Sequence, residues 1–235
     1  MVQLQPIEKR RLSETIVEEL RKRILGGEWK PGDFLPPERE LSQTLGVTRV
    51  SLREALRMLE QESLIETRHG EGSQVRDFTE SAGLGVLKHL VKLGLPSPEL
   101  LRSTLEFRAI LGTELTRLAA QKAGADDIEA LAAIIAAEER DIDNPSAVQR
   151  WDFLFFERLA VASRNQLIKF LMNTIREPYL QQGDLFSPLI GEPRELLGYH
   201  KGILSAVKAG NPTQAAKLAG QYLNHGMNRI FKEEG

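Results

Sequence analysis

The chain has 235 residues, 41% of them hydrophobic, with 31 Lys and Arg against 33 Asp and Glu and no cysteine. Its length suits two domains, and the missing cysteine excludes disulfides, thiolate metal sites and cysteine nucleophiles. No apolar run approaches the roughly 18–20 residues that cross a bilayer, and the opening MVQLQPIEKRRLSE lacks the apolar core of a signal peptide, so a cytoplasmic protein without a membrane role is expected.

Residues 8–25 read as a helix, because Leu12, Ile16, Leu20 and Ile24 recur every four residues and Val17 widens the stripe. Gly26 and Gly27 stop it, and a turn at Trp29 to Asp33 leads to a double proline. Two short helices with a tight turn between them follow in PERELSQTLGVTRVSLREALRMLEQE, Pro37 to Glu62. Pro37 suits a first turn, Leu41 and Leu45 give an apolar face, Gly46 is a natural C′ residue and Thr48 can cap the second helix. In that helix Leu52, Ala55, Leu56 and Leu59 form a buried stripe, while Arg49, Arg53 and Arg57 share another face. This is the helix-turn-helix pattern, whose second helix lies in the DNA major groove. Leu64–Arg68 and Ser73–Arg76 flank a glycine-rich tip and make a hairpin, or wing.

From Asp77 the strand signals vanish. Helices are predicted at 79–93, 98–123, 126–140, 146–163, 165–180, 193–209 and 212–232, with breaks at glycine, asparagine and proline. The expected fold is therefore mainly α. A winged helix-turn-helix DNA-binding domain (1–76), carrying the small β hairpin, is followed by a connecting helix (77–93) and an all-α helical bundle (94–235). Net charge is −2, and residues 1–76 hold 13 basic and 13 acidic residues, so DNA binding must rest on a few placed arginines instead of bulk attraction.

LPPERELSQTLGVTRVSLREALRMLEQESLIETRHGEGSQV resembles the winged helix of the GntR family of bacterial transcription regulators. The helical remainder resembles the effector-binding and dimerisation domain of its FadR subfamily, and ESAGLGVLKHLVKL, LAVASRNQLI and GYHKGILSA are similar to that subfamily's fatty-acid regulators. Carried over by position, the resemblance places DNA contacts at Arg39, Thr48, Arg49, Ser51, Arg53, His69 and Gly70. It implies a homodimer on an inverted-repeat operator in double-stranded DNA. Arginine forks suit guanine O6 and N7, and Thr48 and Ser51 suit phosphates, which set register. Two departures are Glu71, an acid beside the wing tip, and Ser63, where the family usually has glycine. Arg57 is placed either on DNA or in a surface pair with Glu54 or Glu60.

The resemblance also implies an effector in the helical domain, either a small organic acid held with a metal or a long-chain acyl-CoA. The metal form has Asp, a His four residues on, and two later His about 22 residues apart. Here Asp152 is followed by Phe156, and His200 by Tyr222, with His225 one turn further. Asp152 and His200 alone do not close a first-row metal site, so no metal and no cofactor are expected, and a long-chain acyl-CoA is the first choice of effector. Candidate effector residues are Arg108, Asp152, Tyr179, His200 and Tyr222. Arg108 and His200 fall on apolar stripes, and a buried arginine needs a partner, here either Asp152 or an anionic effector. His200 is read as a core histidine satisfied by Asp152 or Tyr222. Phe153, Phe155, Phe156 and Phe186 add aromatic bulk that either lines an acyl pocket or simply fills the core. The rival readings are a metal-dependent enzyme built on Asp152, His200 and His225, and a protein-binding winged helix. No metalloenzyme helix motif, phosphate loop or nucleophile elbow is present, so an enzyme is not expected.

Overall fold

The computed structural model describes residues 11–68, 70–94, 97–181 and 190–232, without the side chains of 11, 178 and 230–232. It divides into two compact units, Met1–Leu93 and Gly94–Gly235.

In the first unit α1 (Arg11–Leu25) buries Ile16, Val17, Leu20 and Ile24 as their spacing predicts. Leu12, expected in the same stripe, is 50% exposed, whereas Ser13 beside it is buried. Then come α2 (Glu38–Thr44) and α3 (Arg49–Gln61). The turn between them is closed by Gly46 at φ 64°, with Gly46 N–H donating to Gln43 O and Val47 N–H to Ser42 O, the paired bonds of a Schellman cap. Thr48 caps α3 by accepting from Ser51 N–H at 3.2 Å. The buried stripe of α3 is the predicted one, Leu52, Ala55, Leu56 and Leu59, and it packs on α1. Arg21 of α1 holds Glu62 through two bonds of 2.8 and 2.5 Å and so ties α1 to the end of α3.

The wing is the antiparallel pair β1 (Ile65–Arg68) and β2 (Gly72–Val75), with Ile65 opposite Val75 and Arg68 opposite Gly72. A bridge from Phe34 to Gln74 and the bond from Leu35 N–H to Ser73 O bind the segment before α2 to β2.

The single helix expected over 79–93 is instead three pieces: α4 (Phe78–Ser81), a 3-10 turn (Leu84–Val86) and α5 (Leu87–Lys92). Gly83 and Gly85 are poor helix residues, and the chain is extended at Ala82 and Gly83. Ser81 Oγ donates to Asp77 O and Ser63 O, which fastens α4 to the turn after α3.

The second unit contains α6 (Pro98–Lys122), α7 (Ala125–Arg140), α8 (Pro145–Ala162), α9 (Gln166–Gln181), α10 (Pro193–Lys208) and α11 (Pro212–Lys232), each within a residue or so of its predicted span. Ser97 and Asn144 cap α6 and α8, each followed by a first-turn proline. The most extensive helix pair is α6 against α11, and it packs closely at Gly112: a Cβ there would meet Leu223 Cδ1 at 2.5 Å, so the leucine would have to shift. Asp127, buried near the start of α7, accepts from Gly124 N–H, Arg158 and Arg164, and pins α7 to the end of α8. Burial acts against its carboxylate, but these donors hold its pKa below the ordinary value.

Candidate functional sites

In the first unit the polar residues predicted for DNA lie around the N-terminal ends of α2 and α3. Arg39 is the second residue of α2 and Arg49 the first of α3; both are exposed, and no described residue forms an ion pair with either. Arg53 is also exposed, but its Nε donates to Glu38 Oε2 at 2.8 Å, a contact that draws the two helix starts together. Thr48 and Ser51 bond to each other through their hydroxyls at 3.0 Å. Gly70 sits at the wing tip with φ 83°, a conformation suited to glycine, and a Cβ there would meet nothing within 4 Å. His69 lies outside the described residues. Glu71, the acid beside the tip, faces Arg68 at 3.9 Å. Arg57 pairs with neither Glu54 nor Glu60 among the described residues; Glu60 accepts from Thr67 N–H instead. The role of Glu38 as the clamp on Arg53 was not foreseen, since the two residues are 15 apart in sequence.

In the second unit four of the five predicted effector residues meet at one point. Asp152 of α8 is buried; its Oδ2 accepts from Arg108 Nη2 at 2.9 Å, and its Oδ1 accepts from the Tyr222 hydroxyl at 2.8 Å. Arg108 also reaches Tyr222 Oη at 3.4 Å and lies over its ring. The Arg108 side chain keeps 21% of its surface exposed, so the cluster opens outward along it. His200 of α10 is fully buried, with Nε2 facing Asp152 Oδ1 at 3.4 Å without closing a hydrogen bond.

Its firm partner is one the sequence reading missed. Nδ1 is 2.8 Å from Glu138 Oε2, and Glu138 is buried on α7. The available signal was the stripe Leu131, Ile135, Glu138, which puts the glutamate on the inward face. Phe155 stacks on the His200 ring at 4.0 Å, while Phe156 lies parallel to Tyr222 at 6.0 Å. Tyr179 is buried nearby, stacked on Phe153 at 4.7 Å and bonded to Gln149. Phe186 lies outside the described residues. His225 is exposed, beside Tyr199 and Arg229 on a small surface recess, and does not join the cluster.

The electrostatics are those of a self-compensated group. Burial acts against charged Asp152, but Arg108, His200 and Tyr222 outweigh it and hold its pKa low. Burial likewise opposes protonated His200, and Asp152 and Glu138 overcome it, raising its pKa. Burial lifts Tyr179 to about 12 and Tyr222 well above its ordinary value, so both phenols stay neutral. A separate cleft of about 270 Å³ opens between α7, α8 and α9, with Ile134, Leu154 and Met172 on its wall and Arg158, Lys169 and Arg176 around it.

The comparisons decide the family. Residues 12–75 match the family described as bacterial regulatory proteins, gntR family, and residues 103–225 match the FCD domain. A transcriptional regulator of the helix-turn-helix type from Mycobacterium tuberculosis is 36% identical over 97% of this chain and 93% of its own. The chain belongs to the GntR family. It is a DNA-binding transcription regulator with an FCD effector domain, and its relatives are regulators, not enzymes. The fatty acid metabolism regulator protein of Klebsiella pneumoniae is 32% identical over 85% of this chain and 82% of its own length. The solved structure of Lar, which controls expression of the Listeria monocytogenes agr system, shares the fold at a TM-score of 0.62, with 16% identity over 96% of this chain and 99% of that one. Among the described residues no helix is long and apolar enough to cross a membrane.

Proposed function

We propose that this GntR-family regulator binds an inverted-repeat operator as a cytoplasmic homodimer, and that a long-chain fatty acyl-CoA, acting without a metal or other cofactor, releases it. Arg39, Arg49 and Arg53 approach base edges, Thr48 and Ser51 hold phosphates, and His69 and Gly70 at the wing tip enter the neighbouring minor groove. Arg39 and Arg49, exposed and without ion pairs among the described residues, support this reading. Exposed Phe107 and Ile110 on α6 offer apolar surface to a second copy.

The observation that carries the effector reading is the make-up of the interior cluster. Phe156 and Tyr222 stand where the metal-binding form of the domain has histidine, and the Tyr222 hydroxyl and Arg108 already occupy both oxygens of Asp152. A donor set of Asp152 and His200, with an arginine cation in contact, does not suit a metal ion. The alternative effector, a small organic acid, would meet an Arg108 whose charge is already matched. A ligand that gains most of its affinity from apolar surface fits such a neutral cluster better. Similarity to fatty acid metabolism regulators points the same way. Arg108, Asp152, Tyr179, His200 and Tyr222 then form the interior the effector rearranges, and it shifts the equilibrium only by its differential affinity for the two states.

Fluorescence anisotropy of a duplex selected from random DNA tests this. Palmitoyl-CoA or oleoyl-CoA should release the duplex, while acetate-sized acids with or without added zinc should not. Release by the small acid alone would overturn the acyl-CoA reading, and failure to select any duplex would overturn operator binding.

A further inference from the structure

The first turn of α3 presents one large apolar side chain among its polar ones. Val50 is 78% exposed, whereas Val17 and Val75 of the same unit are buried. On a helix of 3.6 residues per turn, Val50 lies about 170° from the centre of the stripe made by Leu52, Ala55, Leu56 and Leu59. It therefore points straight away from the core, from the second position of the helix. Its polar neighbours are largely engaged: Thr48 with Ser51, and Arg53 with Glu38. Arg49 and Val50 are the two adjacent side chains of this turn that no described residue occupies.

We infer that Val50 is a specificity-determining residue that packs on the 5-methyl group of a thymine in the major groove. The inference rests on the DNA-binding reading above. The major-groove edge of thymine is the one base edge that carries a methyl group, and small apolar side chains on recognition helices read it by contact. Valine offers no hydrogen bond, so it rejects no base by polarity; it selects by the apolar surface it removes from water. Residues 49 and 50 are neighbours on a helix rising 1.5 Å per residue, against 3.4 Å per base pair along DNA. The thymine therefore falls within a base pair or two of the guanine that Arg49 reads.

The test replaces each thymine of a selected operator, one at a time, by uracil, which removes only the methyl. Affinities are measured by anisotropy for the wild type, Val50→Ala and Val50→Thr. One position per half-site should weaken wild-type binding by about four-fold, the value of one buried methyl-sized group. Val50→Ala should bind the unmodified operator more weakly by a similar factor and be indifferent to uracil at that position. Val50→Thr, which keeps one methyl and adds a hydroxyl, should retain part of the sensitivity. Because Val50 supports no core contact, all three proteins should melt alike. If every uracil effect is the same in wild type and Val50→Ala, the thymine contact is refuted while operator binding stands. If no duplex is selected, the DNA-binding reading fails and this inference with it.

Discussion

Replacing Ser63 by glycine should stabilise the protein, and the size of the effect follows from a cap that occurs twice in the winged helix. Ser63 ends α3 at φ 61°, in the left-handed region. Its N–H donates to Glu60 O, and Leu64 N–H donates to Leu59 O, the same pair of bonds that Gly46 and Val47 make at the end of α2. One cap carries glycine and the other carries a Cβ. A non-glycine residue held in that region costs roughly 1–2 kcal/mol. Glycine returns part of this by widening the unfolded ensemble, by about 0.4–1 kcal/mol. The bond from Ser81 Oγ goes to the Ser63 carbonyl, which the substitution keeps. The net gain for Ser63→Gly is then about 0.5–1 kcal/mol, or roughly 2–8 °C in Tm for an N-terminal unit that melts alone. Differential scanning calorimetry reads it directly. Ser63→Ala, which keeps the Cβ, should give no gain. Gly46→Ser, where a Cβ would meet nothing within 4 Å, should lose what Ser63→Gly wins. If Ser63→Gly left Tm unchanged or lowered it, backbone strain would not be the governing term at this cap.

Arg49→Ala should weaken operator binding by roughly 5- to 150-fold and relax preference at one position per half-site, as loss of a guanine fork requires; a uniform loss across sequences in an anisotropy panel would make Arg49 a phosphate contact instead. Glu38→Gln removes the carboxylate that holds Arg53, and since an exposed pair is worth at most about 1 kcal/mol, binding should tighten by roughly two- to five-fold; weaker binding would mean that Glu38 positions Arg53 productively. Asp152→Asn leaves Arg108 and His200 in the interior without their shared carboxylate, and urea unfolding should show a loss of about 3–5 kcal/mol; a loss below 1 kcal/mol would refute the account of the cluster. The pKa of His200 is raised above its ordinary 6.5, so its protonated form contributes stability in full below that pH and loses it as pH rises through the folded value. The Tm of the FCD unit should therefore fall as pH rises above neutrality, and His200→Gln should flatten that slope; an unchanged slope in the variant would assign it to another group.

What could be read from the sequence was what is decided within one or two turns of chain. The cap at Thr48, the stop at Gly46 and the inward stripe of α3 need only the periodicity of the helix and the geometry of its ends, and they stand where that reasoning puts them. The FCD helices were legible for the same reason, since proline and asparagine mark their starts. The connecting segment was misread because its apolar pattern suits a helix, while the extended backbone at Ala82 and Gly83 divides it. Arg108 and His200 each showed as a polar residue on an apolar stripe, which implies burial and so a partner; of the two partners left open for Arg108, the structure has Asp152 in contact with it. Glu138 stayed hidden for a different reason. It sits in a run of acidic and basic residues at the end of α7 that reads as a solvated helix end, which masked its place on the stripe of Leu131 and Ile135; its partner, His200 on α10, is 62 residues on. Val50 was passed over for the converse reason: valine is expected inside, and its position opposite the core matters only once the helix is taken as a surface that something else covers. Both errors concern side chains whose character opposes their location, and such side chains gain meaning from a partner that sequence spacing does not supply.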